Sequence, residues 1–355
     1  MAENLTHTLP ILESLLTGHH TNHDQQALLT AELATPETAK AFGITESNGL
    51  EKIAQRINLL QTVYPDLIKF CQKFGFSNSE QTLITLWYFW LPLAIFFAEQ
   101  KNKLASPLIQ GILGGQGTGK TTLAAVTRLI LSHLGYSSVS ISLDDLYKTY
   151  QERQLLQTRN PRLIWRGPPG THDVDLGVQL LDNLRQATPE TEISVPHFDK
   201  SAYGGAGDRT TPEKIKGVDI VLFEGWFVGV HPISETAFQA PPAPISTAED
   251  RDFARDMNEQ LRNYLPLWER LDSLIVLYPT DYRFCQQWRR EAEQKMIAEG
   301  KAGMGDEKIN QFVEYFWKAL HPELFIKPLV SNRELVDLVV EIDINHCPGR
   351  IYQPA

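Results

Sequence analysis

Residues 111 to 130, GILGGQGTGKTTLAAVTRLI, constrain the fold more than any other stretch of the chain. They contain G-x-x-x-x-G-K-T without a gap: Gly114, four residues, Gly119, Lys120 and Thr121. An apolar segment of strand length, PLIQGILG, precedes the glycines, and an apolar stripe at Leu123, Val126, Ile130 and Leu134 follows them and closes at Gly135. Strand, glycine-rich turn and amphipathic helix in this order predict a loop whose backbone N–H groups turn inward around phosphates, at a helix N-terminus whose partial positive charge favours anions. The loop comprises Gly114, Gly115, Gln116, Gly117, Thr118, Gly119, Lys120, Thr121 and Thr122. Lys120 is expected to reach the β- and γ-phosphates of ATP, and Thr121 to offer its hydroxyl to Mg2+.

From about residue 80 the pattern alternates strands with helices. The candidate strands are PLIQGILG, SSVSISL at 137–143, DIVLFEG at 219–225, DSLIVLY at 272–278 and LVDLVVEIDI at 335–344. These five segments predict an α/β fold, a P-loop NTPase core with a five-stranded parallel sheet flanked by helices. EISVPHF at 192–198 suits a hairpin flanking the site, and HPISETAFQAPPAPISTAEDRD reads as a surface loop. Residues 1–80 repeat apolar positions at three and four, carry no chemical cluster, and read as an N-terminal helical extension or cap before an α/β domain over 81–355.

A net charge of −10 argues against nucleic acid as a partner, so phosphate-bearing ligands must be met by local basic groups. Cys71, Cys285 and Cys347 are too scattered for a disulfide framework or a zinc site, which points to a reducing cytoplasm. The first twenty residues have acidic side chains, no arginine and no cleavage-like ending, so they read as neither a secretory nor an organelle signal. LITLWYFWLPLAIFFA runs about 16 residues with Pro92 inside. That is short of the ~20 residues a span needs, and predicts a buried helix rather than a membrane partner. Protein partners are left open.

A phosphate loop does not name a reaction, and the discriminating residues lie downstream. ISLDDLY sets Asp144 and Asp145 at the carboxyl edge of the second strand, where open α/β sheets bind ligands. A carboxylate there is suited to taking a proton from an attacking hydroxyl, and equally to capping a helix with a solvated neighbour. Its position directly after the strand that follows the loop helix favours the base. Glu224, closing VLFEG, stands where a magnesium carboxylate is expected, after four apolar positions. GPPGTHD presents His172 and Asp173 on a loop, and Asp173 is also placed to cap the next helix. VPHFDKSAYGGAGDR gathers Asp199, Lys200 and Arg209 around a glycine-rich turn that suits an anion, or is a solvated hairpin tip. WRREAEQKM carries Arg289 and Arg290 on a helix before GKAGMGDE, a pattern that fits a lid near 283–310.

GGQGTGKTT, SLDDLY, GPPGTHD, PHFDKSAYGGAGDR, VLFEGWFVG, LWERLDSLIVL and WRREAEQKM occur here in the order that resembles D-glycerate 3-kinase, the plant and cyanobacterial type of glycerate kinase. That family is itself similar to uridine kinase, phosphoribulokinase and bacterial pantothenate kinase, and the resemblance spans roughly residues 80 to 350. It implies an ATP- and Mg2+-dependent kinase acting on the 3-hydroxyl of D-glycerate, in photorespiratory carbon recovery. It further implies Asp144 as catalytic base, Thr121 and Glu224 as magnesium ligands, Asp173 as a substrate-hydroxyl contact and Arg289 as a lid arginine. Tyr147 joins Asp144 as a candidate substrate contact, and Lys200, Arg209 or His172 is expected to hold the substrate carboxylate. Arg290 and Gly305 depart from the pattern, where an apolar residue and a capping Thr are expected. Two alternatives stay open: a kinase of the same group with a nucleoside, pantothenate or sugar-phosphate acceptor, its base stacked on Tyr147 or Tyr203, and a nucleotide-dependent regulatory ATPase.

Overall fold

The computed structural model describes residues 2–19, 21–73, 79–298, 300 and 303–355. Eight strands form among them: β1 (Leu108–Gly114), β2 (Ser138–Ser142), β3 (Ile193–Asp199), β4 (Asp208–Ile215), β5 (Ile220–Gly225), β6 (Ser273–Pro279), β7 (Leu338–Ile342) and β8 (Pro348–Tyr352). Six make one sheet in the order β2-β5-β1-β6-β7-β8, with β3 and β4 paired separately as an antiparallel hairpin. The five expected strands are the parallel ones, and β8 adds an antiparallel edge on β7. β1, at the centre, is buried at all seven positions, as a parallel strand covered on both faces must be.

The alternation of side chains along each strand divides the interior into two layers. Leu108 and Ile112 of β1, with Ile220, Leu222, Ile275 and Leu277, face one layer; Ile109 and Leu113, with Val221, Phe223, Leu274 and Val276, face the other. The first layer is covered by α1 (Ala2–Leu16), α2 (Asn22–Leu33), α3 (Pro36–Ala41), α4 (Gly49–Lys73), α5 (Ser79–Thr85), α6 (Leu91–Lys101) and α7 (Lys120–His133). The apolar side chains of residues 1–80 and those behind the phosphate loop therefore form one cluster. A π-helical turn at Leu86–Trp90 joins α5 to α6. By length and composition Ser79–Lys101 is apolar enough to cross a membrane, but 78% of its most apolar window is buried inside the fold, in line with the expected core helix.

Across the sheet lie α9 (Val174–Gln186), reached through α8 (Tyr150–Arg159), then α10 (Ala248–Gln260), α11 (Leu265–Trp268) and α13 (Asp306–Ala319), with α12 (Phe284–Ala298) running off the end of β6. The proline-rich connection before α10 is more than a surface loop, since its Phe238 and Ile245 are buried in this second layer.

Candidate active site

Sheet register brings the chemistry to one edge. Ile112 of β1 pairs with Glu224 of β5, and Glu224 in turn pairs with Ser142 of β2, so the phosphate loop, Glu224 and the Asp144–Asp145 pair leave the sheet at one level. α7 starts immediately after Gly119, whose φ of 85° and that of Gly117, 80°, are left-handed values that glycine adopts without strain. A Cβ at Gly117 would also stand only 2.5 Å from Cβ of Trp288. The first helical bond into α7 comes from Leu123 N–H to the Gly119 carbonyl, leaving the N–H groups of Lys120, Thr121 and Thr122 without helical acceptors. Lys120 Nζ donates to the Gly115 carbonyl at 2.9 Å, and Thr118 Oγ1 donates to the same oxygen at 2.8 Å. Burial lowers the Lys120 ammonium from its ordinary value, against the opposing charges of Glu224 and Asp144. Thr121 Oγ1 donates to Glu224 Oε1 at 3.2 Å across the mouth of the loop.

The two aspartates after β2 part company. Asp145 accepts from the N–H of Ser142 at 3.1 Å and of Phe198 at 3.2 Å, so it caps the turn and ties the β3 hairpin to the sheet. Asp144 instead takes the Tyr147 hydroxyl at 2.8 Å and Lys200 Nζ at 2.6 Å. Burial pushes the Asp144 carboxyl up, but Lys200 and the Tyr147 hydrogen bond outweigh it and hold the group below its ordinary value, ionised at neutral pH. Burial, then Asp144, raises the Tyr147 phenol well above its usual value, so it stays a donor.

His172 is buried, its Nδ1 on the Tyr264 hydroxyl at 2.8 Å and its ring stacked on Tyr147 with centroids 4.5 Å apart. Burial pushes its pKa down to about 3, so it is neutral, and a carboxylate held by it would be met by a hydrogen bond and not by an ion pair. Asp173 takes the capping role the local sequence allowed, accepting from Leu176 N–H at 3.1 Å at the start of α9, and it also accepts from Arg209 Nη2 at 2.8 Å. Arg209 also donates from Nε to the Tyr147 carbonyl at 2.9 Å. Lys200 and Arg209, expected to meet a substrate carboxylate, are thus each engaged by a carboxylate of the protein. Arg289 pairs with the buried Glu293 one turn along α12 and lies over Phe312, while Arg290 reaches Asp306 at 3.2 Å. Residues 299, 301 and 302 of the expected lid lie outside the described residues.

No family model matches the chain. It is 32% identical over 303 residues to the chloroplastic D-glycerate 3-kinase of Arabidopsis thaliana, an alignment covering 78% of this chain and 64% of that protein, a little under two thirds of its length. An uncharacterized kinase of Schizosaccharomyces pombe is 32% identical and a probable ATP-dependent kinase of Saccharomyces cerevisiae 31%, the alignments covering 62% and 67% of this chain and 82% and 86% of those proteins. Through these two yeast relatives, each covered over more than two thirds of its length, the chain belongs to a family of ATP-dependent kinases. A solved structure of D-glycerate 3-kinase from Cryptococcus neoformans superposes with a TM-score of 0.67 at 27% identity, over 74% of this chain and 98% of that one.

Two basic residues of this kinase lie beside the site and were missed in the sequence. Arg153 of α8 and Arg166, just before GPPGTHD, both lie near the rings of Tyr147 and Phe198. Neither sits in a motif, and the only signal for them is that they are basic residues flanking the motif-bearing loops.

Proposed function

We propose that this chain transfers the γ-phosphoryl group of ATP to the 3-hydroxyl of D-glycerate, giving 3-phosphoglycerate and ADP. The observation that carries the reading is Asp144, an ionised carboxylate at the sheet edge beside the Thr121–Glu224 pair, within a fold shared with D-glycerate 3-kinase. ATP would seat its phosphates on the free N–H groups at the start of α7, with Lys120 exchanging the Gly115 carbonyl for the β- and γ-phosphates. Asp144 then accepts the proton of the attacking hydroxyl as the new O–P bond forms and the bond from the γ-phosphorus to the bridging oxygen breaks.

Thr121 and the buried Glu224 are oxygen donors at the phosphate end of the site, a set that fits Mg2+, which keeps several waters and leans on one or two carboxylates and the phosphates. Bound there, Mg2+ would neutralise charge on the triphosphate. Arg289 would have to leave Glu293 to reach the transferred group. A nucleoside acceptor is disfavoured by Tyr147, whose ring is already flanked by His172, Phe198 and two arginines, and by Tyr203, which is stacked on Tyr150 at 4.2 Å. The reading includes return of glycerate carbon as in photorespiration, and a reducing cytoplasm suits the three free cysteines, although the plant relative is named chloroplastic.

A coupled assay of ADP release over D-glycerate, glycerol, uridine, pantothenate and a sugar phosphate tests it. D-glycerate should turn over, and glycerol, with the hydroxyls but no carboxylate, should be a very poor acceptor. Efficient phosphorylation of uridine or glycerol with D-glycerate inert would sink the substrate assignment; ATP hydrolysis indifferent to every acceptor would point to a regulatory ATPase.

A further inference from the structure

The basic residues around Asp144 fall into two groups. Lys200 and Arg209 have carboxylate partners, Asp144 and Asp173. Arg153 and Arg166 have none among the described residues; their hydrogen bonds go to backbone carbonyls only. Arg153 Nη2 donates to the carbonyls of Ala206, at 2.9 Å, and Gly207, and Arg166 Nη1 donates to those of Gly205, at 2.6 Å, and Ala206, at 3.1 Å. Both guanidiniums lie 5.0 to 6.0 Å from the ring centroids of Tyr147 and Phe198, so two like charges converge on one place. Burial, and after it the charge of Arg166, lowers Arg153 from its ordinary value. Asp208 is the acidic group that opposes this, but its Oδ1 already accepts the N–H groups of Tyr150 and Arg209.

Uncompensated cations held side by side in a partly desolvated place are costly unless an anion joins them. Arg153 is 8% exposed and its Nη1 is buried with no partner, a donor aimed at nothing the protein supplies. Arg166 is only half-buried, and among the described residues its Nη1 alone has hydrogen-bond acceptors. Tyr147 links this pair to the reacting edge: its hydroxyl is on Asp144 while its ring lies against both guanidiniums.

We propose that Arg153 and Arg166 form the anion site that receives the carboxylate of the acceptor, with Arg166 making the direct contact and Arg153 supplying the charge behind it. The inference rests on the reading of the acceptor as a small hydroxy acid. Asp144 then meets the hydroxyl end and the arginine pair the carboxylate end, so the length of Tyr147 sets which acids fit. Lys200 is left to hold Asp144 ionised, and Arg209 to hold Asp173.

The test compares D-glycerate with its uncharged amide in the full chain and in Arg166→Met. A charge-assisted contact is worth about tenfold to a hundredfold in affinity, so Arg166→Met should raise the KM for D-glycerate by roughly that factor. The amide should lose far less, and the KM for ATP should hold. Loss of both acceptors in equal measure, or of neither, overturns the proposal, because a residue that merely braces the 201–207 loop cannot distinguish a charged acceptor from its neutral twin. Arg166→Lys keeps the charge without the planar fork and should fall between; it carries the test if the methionine variant does not fold. If the full chain phosphorylates neither acceptor, the glycerate reading fails by itself. Calorimetry with D-glycerate on the nucleotide-free protein then decides the anion site: heat of binding that Arg166→Met abolishes supports it, and no binding to the unsubstituted chain refutes it.

Discussion

Asp144 and Asp145 are adjacent and chemically identical, yet the bonds they accept give them opposite duties. Asp144→Asn keeps the shape but cannot take a proton, so turnover should fall by roughly 10²-fold or more while ATP affinity survives. Asp145→Asn should act on the melting temperature instead, because its oxygens hold the N–H groups of Ser142 and Phe198. Normal turnover in Asp144→Asn with a dead Asp145→Asn would reverse the assignment. His172 gives a pH signature. Its pKa in the fold is about 3, against an ordinary value near 6.5. Below about pH 6.5 the unfolded chain takes up a proton there that the folded chain refuses, so the stability His172 contributes is whole above that pH and drains away as pH falls towards 3. Melting temperatures measured from pH 7 to pH 4 should fall less steeply in His172→Asn. Some slope should persist, since burial also lowers His231 and His321.

At the scale of elements, the parallel strands and the loop helix were legible because each is apolar along its length and bounded by turn residues. β4 was not: DRTTPEKI is polar, mostly exposed and carries a proline, so its pairing with β3 leaves no alternation to read. β8 opens with Pro-Gly and follows a tight turn, which conceals an edge strand. Of the site, Lys120, Thr121, Asp144 and Glu224 could be read because position in the fold dictates them, whereas the partners of Lys200, Arg209 and Arg289 are set by packing between distant segments. One such packing event is the buried pair of Arg56 on α4 and Glu32 on α2, with the guanidinium 5.0 Å from the centre of the Trp87 ring. Glu32→Ala leaves Arg56 buried and uncompensated, which should cost about 3 to 5 kcal/mol in chemical denaturation. The double variant Glu32→Ala, Arg56→Met should recover much of it; a single variant as stable as the parent would mean water already reaches the pair.

For the molecule as a whole, the shared cluster behind α7 changes what residues 1–80 are expected to do. The sequence reads them as an extension, but Leu12, Leu28, Ile53, Leu60 and Leu67 are buried in the same apolar layer as Leu108, Val126 and Ile275. We propose that they belong to the body of the kinase. A fragment beginning at residue 76 should therefore aggregate or melt without a cooperative transition, and a monomeric, active fragment would show that the layer is separable. The other end of the chain takes part as well. Thr38 Oγ1 on α3 donates to the Ile351 carbonyl of β8 at 3.2 Å, and Arg350 grips Glu37 through paired contacts of 3.1 Å. On the ribosome, α3 emerges hundreds of residues before the strand that covers it, so the nascent protein must wait with that flank unsealed until residues 348–352 have been made. Synthesis from the N-terminal side onward thus postpones closure of this flank until long after the phosphate loop has left the exit tunnel.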